Sequence, residues 1–86
     1  MNIPEEQLNE IIKLRDEIYE HELSITKMKY EHNINKSYLE EIEKDTNETG
    51  LIEALEKFHI MHVNEIKEDI NKTKLRIKQI IGYYKK

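Results

Sequence analysis

Apolar residues recur along the chain in steps of three and four. The first series runs Ile11, Leu14, Ile18, His21, Ile25, Met28, His32, Asn35, Leu39, Ile42. That spacing is one face of a long helix and matches the seam of a coiled coil. Pro4 suits a first helical turn, where its missing N–H costs nothing. Glu5 and Glu6 come next, at the positive end of the helix dipole. No Gly or Pro interrupts the chain from there to Gly50.

Asp45-Thr-Asn-Glu-Thr-Gly50 breaks the pattern. Its short polar side chains compete for backbone hydrogen bonds, and Gly tolerates positive φ. Asn47 or Thr49 is expected to cap a second helix. That helix is marked by a second series: Ile52, Leu55, His59, His62, Ile66, Ile70, Thr73, Ile77, Ile80, Tyr84. The pattern predicts one all-α domain over residues 1–86, with a helix over 4–45, a turn over 46–50 and a helix over 51–84. Gly82 should let the last turn fray.

Two such helices bury their seams by folding back into an antiparallel hairpin, in which facing residue numbers have a constant sum. A sum of 94 sets Ile42 against Ile52, Asn35 against His59, His32 against His62 and Met28 against Ile66. A sum of 95 sets Ile25 against Ile70 and Ile18 against Ile77. The same register brings Glu10, Glu17 and Glu22 near Lys85, Lys78 and Lys72.

A second stripe lies outside the first seam: Ile12, Tyr19, Leu23, Tyr30 and Ile34, again spaced by sevens and fours. The second helix adds Leu51, Phe58, Met61, Val63, Leu75 and Ile81. Two helices cannot cover two stripes. The expectation is a homodimer forming a four-helix bundle, or a docking face for another protein.

Charge changes the picture at the ends. The net charge of −4 argues against a nucleic-acid partner. Acids dominate Met1–Ser24, whereas Asn71–Lys86 holds bases and no acid. No apolar run approaches the ~20 residues of a membrane span. Cysteine is absent, which excludes disulfides and thiolate metal sites. A cytoplasmic location is expected. The abundance of Ile, Lys, Asn and Glu points to an AT-rich genome, such as that of a phage or other mobile element.

Candidate chemistry is sparse. His32, His59 and His62 fall in one layer of that register with Asn35. Imidazoles can bind Zn²⁺ or another divalent metal. The bland alternative is a hydrogen-bonded polar layer that fixes register, with His21 and Thr73 as a second. Glu56-Lys-Phe-His59 has the Glu-x-x-His spacing of di-iron bundles. The register supplies no inward Glu from the first helix to complete it. No phosphate-binding loop and no nucleophile elbow is present. The expected function is that of a small non-enzymatic interaction protein, a regulator, inhibitor or adaptor, with no cofactor. The alternatives are a ligand- or metal-binding bundle using the histidines, and a structural assembly component.

Overall fold

The computed structural model describes residues 2–85. It holds two helices, α1 (Glu5–Thr46) and α2 (Leu51–Tyr84), joined by residues 47–50. The molecule measures 64 × 15 × 13 Å. At ~1.5 Å per residue the 42 residues of α1 span about 63 Å, so the long axis is one helix long and α2 lies back along α1.

Local chemistry sets the ends of both helices. Pro4 stands just outside α1 rather than in its first turn, with ψ near 147°. Its carbonyl accepts the amides of Gln7 and Leu8, both at 3.0 Å. At the other end Asn47 takes a left-handed conformation (φ 54°) that closes α1. Asn tolerates that region better than most side chains. Gly50 is also left-handed, at φ 95°, where a Cβ is unfavourable.

Neither Asn47 nor Thr49 caps α2. The cap comes from α1: Glu43 Oε1 accepts the amide of Leu51 at 2.8 Å and that of Ile52 at 3.2 Å. A carboxylate at a helix N-terminus satisfies two otherwise free donors and meets the positive end of the dipole. The same contact ties the start of α2 to the last turns of α1.

Among the described residues, the buried apolar side chains are Ile18, Val63, Ile70 and Ile80. The seam of α2 therefore passes through Val63, and His62 is exposed. The inner positions of α2 step through Ile52, Leu55 with Glu56, His59, Val63, Ile66, Ile70, Thr73, Ile77, Ile80 and Tyr84. Burying a valine releases water from apolar surface, whereas burying an imidazole costs hydration. On α1 the corresponding change is from Asn35, which is exposed, to Lys36, which is half-buried.

The register shifts accordingly. His32 stacks on His59, so facing numbers add to 91 rather than 94. Continued along the hairpin, that sum sets Met28 level with Val63, Ile25 with Ile66 and Leu39 with Ile52. The difference is about one helical turn, which preserves the alternation of apolar positions. At the open end Glu10 meets Arg76 at 3.4 Å, not Lys85.

Candidate interaction surface

The middle of the hairpin carries its most polar inner layer. The rings of His32 and His59 lie face to face, with centroids 4.1 Å apart and planes 13° from parallel. One turn towards the loop, Lys36 Nζ donates to Glu56 Oε1 at 2.9 Å. The same carboxylate oxygen lies 4.0 Å from His32 Nε2. Lys36 thus holds Glu56 below the usual carboxylate range, first through the hydrogen bond and then through its charge. Glu56 in turn raises Lys36.

Burial holds His59 below the ordinary imidazole value, and the neighbouring His32 and Lys29 add to the effect. His32 is well enclosed, with its side chain 12% exposed. Its Nδ1 is buried and meets no protein hydrogen-bond partner. An unpaired buried nitrogen weakens the fold, so this layer is a stability cost as well as a register mark.

The four histidine-layer positions named from sequence do not form one hydrogen-bonded set. His32 and His59 come together as stacked rings. His62 points outward, 6.5 Å from Phe58 by ring centroid. Asn35 is exposed and joins them only in lining an open groove of about 280 Å³ with Met28, Glu31, Leu55 and Phe58. Rings stacked face to face present π surfaces to one another, not nitrogens converging on a common point. Among the described residues, no group of three or more His, Asp or Glu is placed to hold a metal ion. Thr73, paired from sequence with His21, donates its hydroxyl to the carbonyl of Asp69 at 2.9 Å.

The apolar stripe of α1 is fully on the surface. Ile12, Tyr19, Leu23, Tyr30 and Ile34 are 46–69% exposed. Leu23 lies two residues from the inner positions His21 and Ile25, and Tyr30 two from Met28 and His32. At about 100° per residue, both point away from α2. The stripe therefore runs over the back of α1 and not beside the groove between the helices. Leu51, Phe58, Met61 and Leu75 are the exposed apolar residues of the corresponding set on α2, and Ile60 joins them.

No family model, curated protein or solved structure matches this chain. Among the described residues, no helix is long and apolar enough to cross a membrane.

Sequence reasoning missed Lys36, Glu56 as its partner, and Glu43 as the cap. A signal existed for the first two. Lys36 and Glu56 occupy the one rung where both seams can be drawn through a neighbouring residue, Asn35 or Leu55. Drawing each series through the less charged option hid an ion pair that joins the helices.

Proposed function

We propose that the chain is a small non-enzymatic interaction protein that acts by protein–protein binding, with two hairpins associating as a dimer. One observation supports this above others. Among the described residues, thirteen large apolar or aromatic side chains are exposed against four apolar residues that are buried. A structure of that kind places its apolar surface where a partner can cover it, and patches of this sort mark binding faces.

The mechanism is recognition through helix faces. Side chains at intervals of four and seven lie on one side of a rigid helix and present a preformed apolar ridge. Rigidity matters because little conformational freedom is lost when the ridge is covered. Large apolar side chains are exposed on both helices, so the hairpin can join two bodies at once. That suits an adaptor or an inhibitor that works in an assembled form.

The test is affinity capture from the native host with the wild-type chain, Leu23→Asp and Phe58→Asp immobilised in parallel. The expected result is a protein held by the wild type and lost with one variant that retains its helical circular dichroism. A retained set identical to that of an unrelated helical hairpin would remove the reading.

A ligand- or metal-binding bundle has weaker support, because the histidine rings stack instead of converging. A structural assembly component differs from the favoured reading only in what the bound surfaces build.

A further inference from the structure

The outer face of α1 obeys a different period from its inner face. Leu8, Ile12, Tyr19, Leu23, Tyr30 and Ile34 are all exposed, and their steps are four, seven, four, seven and four. Leu8, Tyr19 and Tyr30 are eleven apart, and so are Ile12, Leu23 and Ile34. Eleven residues make very nearly three turns, so these six side chains form an almost straight ridge. The inner seam repeats every seven residues, through Ile11, Ile18, Ile25, His32 and Leu39. One helix thus carries two apolar stripes of different pitch, and only the inner one is used inside the hairpin.

The outer series of steps reads the same in both directions. An antiparallel copy of α1 can therefore be laid on it with facing numbers adding to 42. Leu8 then faces Ile34, Ile12 faces Tyr30, and Tyr19 faces Leu23, each pair occurring twice. Every position of the ridge meets an apolar partner. We propose that this ridge is the seam on which two copies of the chain dimerise, α1 against α1, antiparallel about a two-fold axis level with His21. This rests on the proposed function, that the exposed faces bind protein, and names the occupant of one face as a second copy of this chain. A two-fold interface requires a surface that complements itself, which is the property this series has. A foreign helix imposes no such symmetry.

Two observations favour the same occupant. Asp16 and Lys27 are eleven residues apart and share one edge of the ridge. In the register proposed, Asp16 of one copy approaches Lys27 of the other, twice over. Among the described residues these groups make only exposed local pairs, Asp16 with Arg15 at 3.6 Å and Lys27 with Glu31 at 4.0 Å. Exposed pairs of that kind are weak and exchange freely.

The second observation is area. The chain exposes 7025 Å². A compact monomer of its mass, 10.4 kDa, exposes about 5,400 Å². The excess is about 1,600 Å² per chain, and the exposed ridge of six large apolar side chains accounts for part of it. A ridge about 40 Å long at ~1.5 Å per residue, from Leu8 to Ile34, is long enough for an interface of the standard ~1,200–2,000 Å². One feature opposes pairing: Glu20 and Glu22 bracket the axis, and each approaches its own copy across it.

The experiment uses the full chain. Light scattering should give twice the 10.4 kDa chain mass for the wild type and for Phe58→Asp, and the single-chain mass for Leu23→Asp. The double variant Glu20→Gln, Glu22→Gln should lower the dimer dissociation constant. Because the chain has no cysteine, register can be read by oxidation. An equimolar mixture of Tyr19→Cys and Leu23→Cys should cross-link, whereas Tyr19→Cys mixed with Ile12→Cys should not. If Leu23→Asp loses its helical signal, the cysteine mixtures decide the matter alone, since these changes are small and exposed. A monomeric wild type up to about 100 µM, a dimer that survives Leu23→Asp, or cross-linking that favours Ile12 would each overturn the proposal. A monomer would remove the self-pairing and leave the capture experiment to judge the binding reading. A dimer that captures nothing would do the reverse.

Discussion

The cap that Glu43 extends to α2 can be removed without touching either apolar seam. Glu43→Ala deletes one carboxylate oxygen that accepts two amides, those of Leu51 at 2.8 Å and Ile52 at 3.2 Å. The loop offers no replacement, since neither Asn47 nor Gly50 supplies a side-chain cap. Loss of an N-cap costs about 0.5–2 kcal/mol. The charge on the acceptor and the helix dipole place this case in the upper half, while solvent access holds it down, so about 1.5 kcal/mol is expected. For a chain of this size each kcal/mol moves the melting temperature by about 4–8 °C, giving a drop of roughly 6–12 °C. Circular dichroism at matched protein concentration measures it, with Glu41→Ala as the control from an exposed position nearby. Glu43→Gln keeps an acceptor oxygen and loses the charge, so it should fall between the two. Hydrogen exchange adds a local readout, with the Leu51 and Ile52 amides losing protection first. Equal melting of Glu43→Ala and Glu41→Ala would refute the reasoning, because the cap would then contribute nothing beyond a generic surface charge.

Val63→Ala should cost about 2 kcal/mol by urea unfolding, and His62→Ala less than ~0.5 kcal/mol. The opposite order would restore the seam through His62. Acidification from pH 7.5 to 5.5 should lower the urea midpoint. His59 is held below the ordinary imidazole value of 6.5, so the unfolded chain takes the proton more readily. Its contribution is present above pH 6.5 and is lost as the pH falls through the lowered folded value. Glu56, itself held low by Lys36, stays charged across that range. A midpoint that holds or rises on acidification would contradict this assignment. His32→Phe keeps a flat ring against His59 and removes the unpaired Nδ1, so it should stabilise by about 1 kcal/mol. Destabilisation would mean that Nδ1 has a partner in solution. For a dimeric wild type, a tenfold rise in concentration adds about 1.4 kcal/mol per dimer and should raise the melting temperature by about 3–5 °C. Leu23→Asp should melt independently of concentration, and a wild type that does the same argues for a monomer.

Period and punctuation made the hairpin legible. Uninterrupted steps of three and four announced each helix, and the cluster of short polar residues ending at Gly50 announced the turn between them. Register was less legible for a physical reason. A heptad seam shifted by about one turn still matches apolar to apolar, so pattern alone does not separate a sum of 94 from one of 91. The choice falls on where charge and histidine sit most cheaply. Val63 is buried and His62 is wet, while Lys36 and Glu56 reach round the edge to meet each other. The stripe through Leu23 and Tyr30 was legible as a second apolar set, but not its position. Its place on the back of α1 emerges only once the inner face is known. The cap by Glu43 had no local sequence signal at all, since it joins residues of different helices.

The two periods on α1 also bear on how the fold holds together. Its inner and outer sides both carry large apolar residues, so α1 has no single preferred side, whereas α2 concentrates its buried positions on one face. A hairpin with so few buried side chains gains little from burial to offset the entropy of ordering two long helices. The apolar surface that would close the balance is present, but on the outside. If the proposed pairing forms, covering that surface adds to the stability of the hairpin, so the free chain should be less stable than the assembled one.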